Sequence, residues 1–362
     1  MAGCQESRTG LVSMLDIRPR ETVPRPGCPK RMVFGPCGGV RPDGGCEVDN
    51  RACPFLDEPA PRWAAPRLGD STAHPAPTAP LVLCDARPDA PTLASVRDLA
   101  RRYQGWCDAV LLGDHHDRAE LPGPLVTAEL AAEGVSVWAT ISCRDRNSAA
   151  TESELLGLAA AGAQVVHCVT GDARAPHILP GSTPVFDLDS LRLVSMARRF
   201  GLTASVAESP MAPPTGIRPL RAAEKSRAGA SWCILNLGVD ATSAAMFIDE
   251  ARHAGSTMRF LACVPVIVDD AGIRRLLELP GVRIDESIVE EVLRSPDPVA
   301  KGIDLAVATA RSLLGVHGID GVNLSGPAHS VRDRADVARA ITSELRPTGP
   351  IVPASGRAAG AR

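Results

Sequence analysis

Between residues 81 and 346 the chain repeats one grammar: a short apolar run, then a longer Ala-rich stretch with apolar residues at helical spacing. The runs are LVLCD (81–85), DAVLLGD (108–114), VSVWATI (135–141), QVVHCVTGD (164–172), LTASVA (202–207), SWCILN (231–236), MRFLACV (258–264) and IDGVNLSG (319–326). Each is of strand length, and the stretches between them, such as TESELLGLAAAG, DLDSLRLVSMARRFG and RAAEKSRAGA, run at helical period and stop at Gly. Eight strand-and-helix units in some 265 residues predict an α/β fold, a closed (β/α)8 (TIM) barrel. An open doubly wound sheet is the competing architecture, but no GxGxxG follows the first strand. The interval 265–318 is longer and predicts extra helices. Aromatic residues make up only 3% of the chain, so the core has to come from Ala, Val and Leu, as suits buried parallel strands.

What precedes the barrel has a different composition. Residues 1–57 are turn-rich and hold Cys28, Cys37, Cys46 and Cys53, four of 11 cysteines. Residues 58–80 are Pro/Ala-rich without periodicity and read as a semi-rigid linker. Residues 347–362 read as a low-complexity, disordered tail. No apolar run approaches the roughly 20 residues that cross a bilayer, and no basic stretch leads into an apolar core as in a secretory signal. The expected location is the cytoplasm, where thiols stay reduced. A net charge of −3 and a pI near 6.3 give no electrostatic reason to bind nucleic acid or a membrane.

In that compartment a four-cysteine cluster reads as a metal module. Gly35, Gly38, Gly39, Gly44 and Gly45 allow turns tight enough to aim the thiolates of Cys28, Cys37, Cys46 and Cys53 at one centre. Zinc in a closed tetrahedral site is the expectation, with an iron–sulfur cluster as the alternative. The cysteines inside the apolar runs (Cys84, Cys143, Cys168, Cys233, Cys263) and Cys107 read as small buried hydrophobes. His115-His116 reads as an exposed loop pair and His167 as a satisfied core residue.

Barrel sites form where strands end. Those positions here carry Asp85, Asp114, the segment Cys143-Arg144-Asp145-Arg146-Asn147, Thr170-Gly171-Asp172, Glu208 and Asn236. Any one of them suits a helix N-cap. Together they suit a polar, multi-ring ligand across the mouth.

The succession ISCRDRNSAATESELLGLAAAGAQVVHCVTGD, PVFDLDS and AEKSRAGASWCILN resembles the methylenetetrahydrofolate reductase family across about three quarters of the chain. The opening CPK, GPCGG and DGGCEV segments resemble a cysteine-rich module attached to, or partnering, reductases of that family. The resemblance implies hydride transfer from NAD(P)H through FAD to the methylene carbon of 5,10-methylenetetrahydrofolate, giving 5-methyltetrahydrofolate. It implies Asp85 as the general acid and Asp172, Arg218, Arg221, Lys225, Arg144 and Asp145 as flavin contacts. Asn236 and Asp114 become substrate contacts, and a redox or methyl-transfer protein becomes a possible partner.

The sequence also departs from the family. Asp85 stands where the family has Glu, Leu235-Asn236 replaces its Thr-Gln, Ser209 replaces an Asn and Gly113 a Thr. These changes leave two further readings open: a flavin-free or altered-substrate one-carbon enzyme, and a non-catalytic folate-binding partner on the same scaffold.

Overall fold

The eight apolar runs pair side by side, all parallel and in chain order, and the eighth closes on the first. The computed structural model describes residues 23–57, 62–63, 79–115, 117–173, 181–278, 285–326 and 331–346. Its strands are β1 (Leu81–Ala86), β2 (Ala109–Leu112), β3 (Val137–Ser142), β4 (Val165–Val169), β5 (Ala204–Glu208), β6 (Trp232–Leu235), β7 (Arg259–Pro265) and β8 (Ile319–Ser325). Between them run α1 (Leu93–Tyr103), α2 (Gly123–Ala132), α3 (Ser148–Ala160), α4 (Ser190–Arg199), α5 (Arg218–Arg227) and α6 (Ala241–His253). The long interval before β8 holds α7 (Asp270–Glu278), α8 (Glu286–Leu293) and α9 (Pro298–Leu314), and α10 (Val331–Leu345) follows β8. The closed barrel read from the sequence is the fold observed.

Strand alternation splits the core in two. Val82, Cys84, Val110, Ala139, Val166, Val206, Cys233, Ala262 and Val322 face the helices and pack with Leu99, Leu130, Leu155 and Leu191. Leu83, Leu111, Trp138, Val165, Trp232, Ile234 and Leu261 form the second cluster, inside the barrel. Trp138 and Trp232 meet there with ring centroids 5.4 Å apart. The expected shortage of aromatics is met by concentrating two of four tryptophans where large volume is needed.

Helix starts are fixed by short polar side chains. Asn147 accepts from the Ala150 amide, Asp189 from the Arg192 amide, Asp240 from the Ser243 amide and Asp297 from the Ala300 amide. None of the strand-end carboxylates Asp85, Asp114 and Asp172 is such a cap, which leaves them for other work.

The segment 23–57 is a string of turns joined by one isolated bridge, Gly45 to Ala52. Its own core is small: Met32, Val40, Cys53 and Phe55, with Cys28, Cys37 and Leu56 alongside. So little apolar volume needs support from elsewhere, and the barrel provides it. The Val33 and Phe34 amides donate to Asp189 Oδ2, the Lys30 ammonium donates to the Gly171 carbonyl at 2.7 Å, and the Phe34 ring packs 5.1 Å from Trp63. Trp63 lies in the stretch read as a linker, yet it is buried and its amide donates to Glu224 Oε2. Most of that stretch, and the tail 347–362, fall outside the described residues.

Candidate functional site

A cavity of about 310 Å³ opens at the C-terminal ends of the strands. On its β1–β8 side Asp85 Oδ1 accepts from Asn323 Nδ2 at 2.9 Å and Asp85 Oδ2 from the Ser325 hydroxyl at 2.5 Å. Register explains the trio: residues 81, 83 and 85 of β1 lie beside 321, 323 and 325 of β8, and all point inward. Burial pushes the Asp85 carboxyl above its usual range, against the pull of the Ser325 and Asn323 hydrogen bonds. Asn323 Oδ1 is buried and accepts nothing within the protein. A carboxyl holding its proton further up the pH scale, next to an unused acceptor, can both give a proton and orient a ligand N–H.

Asn236 also lines this cavity, its amide donating to Ser209 Oγ at 2.7 Å. His167 lies below, its Nδ1 3.0 Å from Ser205 Oγ, and burial drives its pKa down to about 3. It stays neutral, the satisfied core histidine read from sequence.

The opposite wall comes from the cysteine-rich module. Lys30, Cys37, Gly38, Gly39 and Glu47 line the cavity beside Thr170, Gly171 and Asp172. Lys30 pairs with Glu47, and Glu47 Oε1 accepts from the Ala173 amide at 3.1 Å. Burial would lower the Lys30 pKa, but the charges of Cys37, Glu47 and Asp172 outweigh it and raise it. Gly171 sits at φ +91°, and a Cβ there would fall 2.5 Å from Ser142 Oγ. This turn therefore needs glycine to present its carbonyl to Lys30.

Glu208, at the end of β5, gathers three cations, two of which, Arg218 and Arg221, reach the module. Its carboxylate lies 2.6 Å from Lys225 Nζ, 3.2 Å from Arg221 Nε and 4.0 Å from Arg218 Nη1. Burial opposes ionisation of Glu208, but the three cations outweigh it and lower its pKa, so the carboxylate is the anion of the cluster. The other donors of these cations are also taken. Arg218 donates to the carbonyls of Pro36, Cys37, Ala212 and Pro213, Arg221 to that of Phe34 and to Ser190 Oγ, and Lys225 to that of Ala207.

The resemblance implies Arg218, Arg221 and Lys225 as flavin contacts, and Arg221 and Lys225 do line the mouth cavity. Their hydrogen-bonding groups bind Glu208, the barrel's own carbonyls and the backbone of residues 34–37. With those donors engaged, Arg218 and Arg221 are not free to hold a resident FAD in this structure. Arg144 is likewise fully buried, bonded to Asp145 at 2.6 Å and Ser182 at 3.2 Å, and lines neither described cavity. Asp172 does border the mouth, where it faces the Lys30 charge. Asp114 borders it too, but accepts from Arg146 at 2.5 Å and from the Ser142 amide at 2.9 Å, so it positions Arg146 and the end of β3.

The four module cysteines are free thiols, and Cys28, Cys37 and Cys53 belong to the module's small apolar cluster. Burial pushes the Cys28 and Cys53 thiols up, with Cys46 adding to both, whereas Cys37 lies 3.5 Å from Glu47 Oε2 at the cavity wall. Among the described residues no group of three or more His, Cys, Asp or Glu side chains stands at metal-binding spacing. The four thiols are a donor set suited to zinc, with Cys37 held beside Glu47.

A second cavity, about 540 Å³, abuts the mouth at Asp114 and is lined by His115, Arg118, Glu120, Asp145, Arg146 and Glu154 among others. His115 is exposed, as read from sequence, with its Nδ1 3.4 Å from Glu120 Oε2 at the rim of this cavity, and His116 lies outside the described residues.

Sequence reading missed Lys30, Glu47 and Asp189, whose partners lie over a hundred positions away. The glycine-flanked GPCGG turn marked only the place. Among the described residues no helix is long and apolar enough to cross a membrane.

Comparison with known proteins gives two matches. Residues 20–60 match the family described as Methylene-tetrahydrofolate reductase C terminal. The barrel is similar to an uncharacterized protein from Clostridium thermocellum described as binding two copies of 5-methyl-5,6,7,8-tetrahydrofolic acid. That likeness has a TM-score of 0.56 and 10% identity over 73% of this chain and 96% of the other. No curated protein matches the chain. A segment similar to that C-terminal family thus precedes a (β/α)8 barrel in this chain.

Proposed function

We propose that the barrel mouth binds a reduced folate and that the chain reduces its one-carbon unit, 5,10-methylenetetrahydrofolate giving 5-methyltetrahydrofolate. The observation that carries this reading is Asp85: a buried carboxyl of raised pKa at a cavity wall, held by Ser325 and Asn323. The match of residues 20–60, and the tetrahydrofolate bound by a protein of similar fold, support the ligand class.

Asp85 donates its proton to N10 of the bound folate. The bond from the methylene carbon to N10 breaks, leaving an iminium at N5. A hydride from NAD(P)H then adds to that carbon, so the nicotinamide is oxidised as the folate is reduced. Asn323 Oδ1 accepts from a ring N–H and fixes the pterin's orientation. General acid catalysis of this kind contributes typically 10²–10⁴-fold. Asp85 is one methylene shorter than the family's Glu, and the ligand has to sit correspondingly deeper toward β1.

The test is oxidation of NADH or NADPH by the purified chain with methylenetetrahydrofolate and no added flavin, alongside calorimetric binding of 5-methyltetrahydrofolate. Turnover that falls about 10²–10⁴-fold in Asp85→Asn, with binding kept, is expected. Binding without turnover would leave a folate-binding protein and remove the reduction step. Absence of both would remove the whole reading.

A further inference from the structure

The module is joined to the barrel by contacts unlike those of a tethered neighbour. Arg218 is fully buried and Arg221 nearly so, and both spend hydrogen bonds on carbonyls of residues 34–37. Asp189, which caps α4 with one carboxylate oxygen, uses the other for the Val33 and Phe34 amides. Gly38 comes so close to the β5–β6 edge that a Cβ there would lie 2.7 Å from Ser209 Oγ. Ser209 in turn accepts from Asn236, a residue of the cavity wall.

The closed strand order puts β4–β6 across the barrel from β1 and β8. Lys30, Cys37, Gly38, Gly39 and Glu47 therefore face Asp85, Asn323 and Ser325 over one cavity. Removing the module would open that cavity on one side and leave Glu208, Arg221 and Lys225 facing solvent.

We propose that residues 30–39 and Glu47 are one wall of the folate site, and that ligand binding and module docking are a single linked equilibrium. Arg218 and Arg221, paired with Glu208, are the latch of that equilibrium, a socket for the module's peptide carbonyls. A ligand touching both walls binds the docked form better than the undocked form. Linkage then requires that the factor by which ligand tightens docking equals the factor by which undocking weakens ligand. The proposal rests on the folate reading for the identity of the ligand.

The experiment is hydrogen–deuterium exchange of the full chain, read on peptides covering residues 30–40, with and without 5-methyltetrahydrofolate, beside calorimetric affinities. The native chain is expected to show at least a tenfold slowing of exchange in that segment when ligand is added. Arg218→Ala is expected to speed exchange there without affecting β1–β3 peptides, and to weaken 5-methyltetrahydrofolate by the same factor as the ligand slows exchange in the native chain. Gly38→Val reaches the same state from the module's side and leaves the barrel sequence intact, should Arg218→Ala fail to fold. Equal affinity in the native chain and in a variant whose segment 30–40 exchanges freely would overturn the linkage while leaving the folate reading standing. No binding by the native chain would overturn the folate reading, and the linkage with it.

Discussion

Replacing Asp85 by Asn separates a catalytic carboxyl from a structural one. The raised pKa means that the folded chain keeps this proton over a pH window in which the unfolded chain, with the ordinary value of 3.8, has released it. Stability therefore falls as pH rises through that window, and at neutral pH the buried charge is a cost. Each pH unit of elevation is worth about 1.4 kcal/mol. Asn removes the charge at nearly constant shape. Its Oδ1 still accepts from Asn323 Nδ2, and the Ser325 hydroxyl can turn to accept from the new amide. The variant is thus expected to gain about 1 kcal/mol at pH 7, a rise of about 2 °C in Tm, and to lose the advantage near pH 4. Urea unfolding at both pH values, fitted with a common m-value, reads this directly. A loss of about 1 kcal/mol at pH 7, or a gain that does not change with pH, would refute the reasoning and make Asp85 a structural acceptor.

Glu208→Gln leaves Arg218, Arg221 and Lys225 buried without their anion and is expected to cost about 3–5 kcal/mol by urea unfolding at pH 7. Because the Glu208 pKa is lowered from 4.5, its contribution is complete above that value and disappears as pH falls through the folded one; a variant as stable as the native chain at pH 7 would contradict the latch. His167, with a folded pKa of about 3 against 6.5 unfolded, makes stability fall as pH drops from 6.5 toward 3, by about 4–5 kcal/mol at most. His167→Asn is expected to flatten that part of the stability curve, and an unchanged slope would show the histidine is accessible to protons in the fold. FAD added to the full chain is expected to leave its band near 450 nm unshifted, whereas stoichiometric uptake would show that Arg218 and Arg221 can release the module for a cofactor.

The barrel was legible because each strand is a short apolar run with its own flanking breaks, and because helix caps such as Asn147, Asp189 and Asp240 sit within a residue of where periodicity begins. Asp85 was legible too, as the polar end of an inward-facing register. The socket was not. Arg218, Arg221 and Lys225 lie at helical spacing on α5, and sequence shows that they share a face but not what that face meets. Arg218 and Arg221 meet backbone carbonyls at residues 34–37, some 180 positions away, and a carbonyl has no side-chain signature. Separations of 141 and 161 positions likewise hid the contact of Lys30 with Gly171 and made a buried Trp63 look like part of a linker. The four cysteines show the reverse limit. Their spacing suggests one centre, whereas the fold holds Cys37 beside Glu47 at the cavity wall.

The central claim is that a reduced folate sits between Asn323 and Asp85 on one side and the module on the other. Calorimetric titration of 5-methyltetrahydrofolate into the native chain and into Asn323→Ala tests it most directly, since Asn323 Oδ1 is a buried acceptor with no partner in the protein. The account predicts saturable binding by the native chain, weakened at least tenfold in the variant, as expected when a buried hydrogen bond to ligand worth about 1.4 kcal/mol is lost. Saturable binding of equal strength in both would place the ligand elsewhere, and no binding in either would contradict the account at its base.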